Sequence, residues 1–113
     1  MLTFNLFNGR AEELKKILGK IEQIKNVNKS KSRILLVEDD VTTAEIIQRF
    51  LRDENLFCDC IMTGEEAFQV GKIYDYDVII LDLHLPDMNG HELLQKLRDS
   101  AVSSPILVLS GYQ

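Results

Sequence analysis

Three short apolar runs in this chain each end in side chains that can do chemistry. Ile34-Leu35-Leu36-Val37 leads into Glu38-Asp39-Asp40, Val78-Ile79-Ile80-Leu81 into Asp82, and Ile106-Leu107-Val108-Leu109 into Ser110. Apolar runs of this length, bounded by polar residues, mark strands buried on both faces of a parallel sheet. In open sheets of that kind functional groups gather outside the carboxyl ends of the strands. The runs therefore predict one rim carrying several carboxylates and one hydroxyl. Clustered carboxylates repel one another and raise one another's pKa values unless a cation compensates. Oxygen-only ligands with room for water suit Mg²⁺. A carboxylate beside such an ion can attack phosphorus as a nucleophile and become an aspartyl phosphate. The ion would offset charge on the transferring phosphoryl oxygens, and Ser110 is the candidate hydrogen-bond donor to one of them.

A blander account exists for part of this pattern. Acidic residues favour helix N-termini, so Glu38, Asp39 and Asp40 could simply cap a following helix. That accounts for Asp40. It does not account for Asp82, which ends an apolar run and is followed by Leu83-His84-Leu85-Pro86 instead of a helix start.

The elements that must position these groups follow from periodicity. Strands are predicted at 33–38, 57–62, 76–82 and 106–110. Between them lie helical patterns: one at about 41–54 with Ile46, Ile47, Phe50 and Leu51 inward, one from Thr63 to about Ile73, and one from Asn89 to about Asp99. Thr63-Gly64-Glu65-Glu66 reads as a capping box, and Asn89 with Glu92 as another. Leu85-Pro86-Asp87-Met88-Asn89-Gly90 reads as a turn, in which Pro86 and Gly90 fit turn geometry without chemistry. The alternation of strands and helices predicts right-handed crossovers and a doubly wound sheet with helices on both faces.

Ahead of this unit, residues 10–26 repeat Leu14, Ile17, Leu18, Ile21 and Ile24 at helical spacing. Asn8 is the candidate cap, with Glu12 and Glu13 in the first turn. The stripe is too short for a coiled coil, yet a short amphipathic helix needs a partner surface. Asn26 to Ser32 is polar and aperiodic, so the chain divides into 1–32, a helix and linker, and 33–113, the α/β unit.

Composition narrows the function classes. The 113 residues suffice for one small domain. No apolar stretch reaches membrane-spanning length, and the start lacks the features of a secretion signal, so a cytoplasmic location is expected. The net charge of −5 is uneven. Residues 1–33 hold eight Lys or Arg against three Glu, and residues 34–113 hold five against fifteen Asp or Glu. The basic front is read as a solvated helix face and linker, because no aromatic interleaving or base-reading motif supports nucleic-acid binding. Cys58 and Cys60 share one strand face. With no further ligands at metal spacing they are read as buried free thiols.

Ile34-Leu-Leu-Val-Glu-Asp-Asp40, Val78-Ile-Ile-Leu-Asp-Leu-His-Leu-Pro-Asp-Met-Asn-Gly90 and Pro105-Ile-Leu-Val-Leu-Ser110 together resemble the receiver domain of bacterial response regulators, over residues 33–113. The likeness is nearest to receivers that precede winged-helix transcription factors, including the cell-cycle master-regulator branch. It implies a flavodoxin-like fold with strand order 2-1-3-4-5. It also implies phosphotransfer to Asp82 from a histidine kinase or a phosphotransfer protein. On this resemblance Asp39 and Asp82 ligate Mg²⁺ through side chains, Glu38 acts through water, His84 offers its backbone carbonyl, and Ser110 is the switch hydroxyl. The His84 ring and His91 are read as surface groups.

The resemblance further implies a last strand ending in a lysine, and a last helix, beyond the hydroxyl strand. Neither has a counterpart after Ser110, so an incomplete receiver is expected, with the helix at 10–26 as an addition. The 106–110 strand would then be an exposed edge open to self-pairing. The helix is expected to cover the bare sheet face or to pair with its copy in a homodimer. Three function classes compete. The first is a phospho-accepting regulatory module and not a turnover enzyme. The second is a degenerate, phosphorylation-independent interaction module. The third is a small Mg²⁺-dependent phosphatase, disfavoured because position 84 is His where a general acid is wanted.

Overall fold

The computed structural model describes residues 2–4, 10–24 and 32–109. In chain order the elements are β1 (Leu2–Phe4), α1 (Arg10–Gln23), β2 (Arg33–Val37), α2 (Val41–Asp53), β3 (Phe57–Ile61), α3 (Gly64–Ile73), β4 (Val78–Asp82), α4 (Gly90–Asp99) and β5 (Ile106–Leu109). All pairings are parallel, in the order β1-β5-β4-β2-β3. The continuous apolar runs sit where two-sided burial puts them. Residues 34–37, 78–81 and 106–109 are all buried, with helices on both faces.

One core joins α1 and α2 to Ile34, Leu36, Val78, Ile80, Leu107 and Leu109. The other joins α3 and α4 to Leu35, Val37, Ile79, Leu81, Ile106 and Val108. Odd and even residues of each strand thus serve opposite layers, as the period of two requires. Both expected N-caps form. Thr63 Oγ1 accepts from the Glu66 amide at 3.2 Å, and Asn89 Oδ1 accepts from the Glu92 amide at 2.8 Å. The Asn8 cap lies outside the described residues, as does the linker apart from Ser32.

The front of the chain differs from expectation. Leu2-Thr3-Phe4-Asn5-Leu6 alternates apolar and polar residues, a strand signal left out of the predicted elements, and Leu2–Phe4 forms a strand against β5, with Phe4 opposite Leu109. Strand β5 is therefore paired on both sides and is not the exposed edge that the sequence suggested. Helix α1 lies on the α2 side of the sheet. Its Leu14, Ile17 and Ile21 are buried in one cluster with Ala44, Ile47 and Leu51. The apolar stripe offered as a dimer surface is thus covered within the chain. Cys58 and Cys60 are free, pack against the same cluster, and are half-buried. Burial, chiefly, pushes the Cys58 thiol up to about 12.

Candidate metal and phosphoryl site

Strands β2 and β4 are neighbours, with Val37 opposite Leu81. The next residue on each is acidic, so the register alone places Glu38 beside Asp82. Glu38 continues the ladder by donating its amide to the Ile61 carbonyl at 3.0 Å. Asp39 follows before α2 begins. The result is a set of carboxylate oxygens from Glu38, Asp39 and Asp82 that all lie within 4.8 Å of one another. Glu38 is buried, with 5% of its surface exposed. Asp39 and Asp82 are half-buried.

The electrostatics follow from that geometry. Burial, then a hydrogen bond to Asp82 and its charge, push the Glu38 carboxyl up to about 8. Burial also raises Asp82, opposed by hydrogen bonds from Glu38 and from the His84 amide. Burial and neighbouring carboxylates thus favour the protonated form of both groups. A cluster whose buried carboxyls resist ionising together suits a divalent cation, which favours their charged forms. The donor set is all carboxylate oxygen, the chemistry of Mg²⁺.

Asp40, the third acid of that run, donates its amide to Glu38 Oε2 at 3.3 Å but keeps its carboxylate out of the cluster. It stands at the N-cap position of α2, but its carboxylate accepts from the Thr43 hydroxyl at 2.6 Å and makes no cap bond to the helix. His84 lies two residues beyond Asp82 with an exposed side chain, bridged in antiparallel fashion to Asn89. Ser110 lies outside the described residues.

Sequence reasoning treated Leu85–Gly90 as a turn without chemistry and missed what fastens it. The Asp87 carboxylate accepts from the amides of Gly64 and Glu65, at 2.8 and 2.9 Å. These two bonds, chiefly, hold its carboxyl below the usual range. It thereby satisfies free donors at the start of α3 from a loop 22 residues away. Gly90 donates to the Leu83 carbonyl at 2.8 Å. A Cβ there would meet the Asp82 carbonyl oxygen at 2.5 Å. The glycine is required by close approach, not by a turn. The Leu83 amide donates to the Leu109 carbonyl at 3.2 Å. The backbone after Asp82 is thus held from three sides. The acid in Pro86-Asp87-Met88 was the available signal, but its partner is distant in sequence.

Beside Glu38 runs a shallow groove lined by Val41, Ala44, Glu45, Gln48, Cys60 and Met62. Val41 and Met62 are exposed large apolar side chains at its mouth.

Comparison with known proteins converges on one group. Residues 34–113 match the response regulator receiver domain family. The cell cycle response regulator CtrA of Brucella ovis is 51% identical over 79 residues, covering 70% of this chain and 34% of that protein. The chain thus spans about a third of the length of the curated relatives it matches. Among solved structures, a CheY-like response regulator receiver domain from Methylobacillus flagellatus aligns with a TM-score of 0.68 at 30% identity, covering 74% of this chain and 72% of that one. The receiver domain of the sensor histidine kinase PA1611 from Pseudomonas aeruginosa PAO1 aligns with a TM-score of 0.68 at 27% identity, covering 70% and 66%. That protein has a magnesium ion coordinated in its active-site cleft.

Proposed function

The chain belongs to the response regulator receiver domain family, and from that premise we propose that Asp82 accepts a phosphoryl group in a Mg²⁺-dependent phosphorelay. The observation that carries the reading is the carboxylate cluster of Glu38, Asp39 and Asp82 at the carboxyl ends of adjacent strands. Glu38, Asp39, Asp82 and the His84 backbone carbonyl would hold the ion. When bound, Mg²⁺ neutralises charge on the transferring phosphoryl oxygens.

The chain's own groups do the rest. The ionised Asp82 carboxylate is the attacking group. One of its oxygens forms the new P–O bond while the bond from phosphorus to the donor's imidazole nitrogen breaks, and that nitrogen leaves with the electron pair. The His84 amide, which donates to the Asp82 carboxylate, orients the attacking group. Ser110 would donate a hydrogen bond to a phosphoryl oxygen. The donor is a histidine kinase or a phosphotransfer protein, to which the exposed Val41 and Met62 beside Glu38 offer apolar surface. The product regulates a partner and does not turn over substrate. No described helix is long and apolar enough to cross a membrane.

The test uses a radiolabelled small acyl phosphate donor with and without Mg²⁺. The reading expects Mg²⁺-dependent label that hydroxylamine removes, the behaviour of an acyl phosphate. Label that survives hydroxylamine, or none on folded protein, rejects it; the second result favours a phosphorylation-independent interaction module.

A further inference from the structure

The amino ends of the strands, opposite the carboxylate cluster, hold a cavity that the proposed relay does not use. Strand β5 begins at Ile106, but β1 joins it only with Leu2, opposite Leu107. A notch is left beside the start of β5. The last turns of α1 and α4, which lie on opposite faces of the sheet, border it. The notch holds about 350 Å³, the size of a small organic molecule. Ile24, Pro105 and Leu107 give it apolar walls, and Lys20, Gln23 and Arg98 supply its polar side chains.

Those groups are mostly donors. Lys20 and Arg98 can only donate. The backbone adds a third. The carbonyls of Pro105 and Leu109 accept from the Ile79 and Leu83 amides, at 2.9 and 3.2 Å, so they face β4. By the alternation of a parallel ladder the Ile106 amide faces the other way, into the notch below Leu2. Arg98 is held in place, because its Nη1 donates to the Val102 and Ser104 carbonyls at 2.7 and 2.9 Å. That fixes the guanidinium and leaves its other N–H groups for a ligand. Lys20 has no ion-pair partner among the described residues. A cation in the last turn of a helix offsets the helix dipole, which would explain either one alone. It does not explain why cations of two separate helices line one cavity together with a strand amide.

We propose that this notch binds a small organic anion, with its charged head at Lys20 and Arg98 and its apolar body against Ile24 and Pro105. A donor-rich, acceptor-poor cavity calls for an acceptor, and two cations call for a charged one. The inference is independent of the phospho-acceptor reading, whose residues lie at the other end of the sheet.

The test titrates naphthoate, and separately its uncharged amide naphthamide, into the isotope-labelled full chain and follows the backbone amides by NMR. Naphthoate should give saturable shifts centred on Lys20, Gln23, Ile106 and Leu107. Naphthamide should bind at least about tenfold more weakly, because it lacks the charge that the two cations recognise. Lys20→Gln should weaken naphthoate about tenfold. Lys72→Gln, which removes an exposed cation elsewhere, should leave the affinity within about twofold. Absence of saturable shifts at those amides overturns the proposal, as do shifts centred on another surface. Equal affinity for the acid and the amide on unmutated protein would also overturn it, as would an affinity that Lys20→Gln leaves unchanged.

Discussion

Gly90 lies against the backbone of Asp82 so closely that a Cβ at position 90 would sit 2.5 Å from the Asp82 carbonyl oxygen. The same atom would lie 2.7 Å from Leu81 Cδ1 and 3.0 Å from Leu83 Cα. Two of these three neighbours are backbone and cannot swing away. The start of α4 and the end of β4 are thus in register only because residue 90 has no side chain.

Gly90→Ala should therefore act on the site and not only on the helix. The expected cost is about 1–3 kcal/mol of stability from forced displacement, read by urea denaturation. Displacing Asp82 should also weaken Mg²⁺ binding, read by calorimetric titration. Unchanged stability and unchanged Mg²⁺ affinity would show that this contact relaxes at no cost.

The carboxylate pair predicts an unusual pH dependence. Glu38 is held at about 8 in the folded chain, above its ordinary 4.5. Between those values the folded state binds more protons than the unfolded state. Stability without metal should therefore be greatest at the acid end of this window and fall as pH rises through about 8. Mg²⁺ takes the place of the proton, so it should stabilise more at pH 8.5 than at pH 5.5. Its apparent affinity should fall by up to about tenfold per pH unit as the site is protonated. Thermal melts at several pH values, with Mg²⁺ and with chelator, check this. Glu38→Gln should flatten the metal-free profile; a slope that persists in that variant would assign the effect elsewhere.

Asp87 ties the loop after Asp82 to the first turn of α3 through two amides, Gly64 and Glu65. Asp87→Ala should loosen both ends. Hydrogen exchange should accelerate at Gly64, Glu65 and the Leu83–Asn89 loop while the β2 and β4 amides stay protected. Mg²⁺ affinity should drop because His84 sits in that loop. Asp87→Asn, which keeps one acceptor oxygen, should fall between Ala and wild type. Acceleration spread evenly over the sheet would instead mark Asp87 as a general stability residue.

Much of this was legible in the sequence, for local reasons. The runs at 34–37, 78–81 and 106–109 announce buried strands because two-sided burial erases alternation. The Thr63 and Asn89 caps are readable because each partner lies three residues away. Glu38, Asp39 and Asp82 were legible as a cluster once β2 and β4 were taken as neighbours. What escaped depends on distant contacts. Leu2–Phe4 lies in a short alternating stretch, but its place in the sheet is set by the edge of β5, more than a hundred residues away. Gly90 looks like any turn glycine until Asp82 is laid against it. Asp87 needs α3, and nothing near Pro86 in sequence says so.

The most direct test of the central claim is the intact mass of the protein after incubation with acetyl phosphate and Mg²⁺, alongside Asp82→Asn. The account predicts a single phosphoryl adduct on the wild type, absent without Mg²⁺ and absent in the variant. An adduct of the same extent on folded Asp82→Asn, or none on folded wild type that binds Mg²⁺, would contradict it.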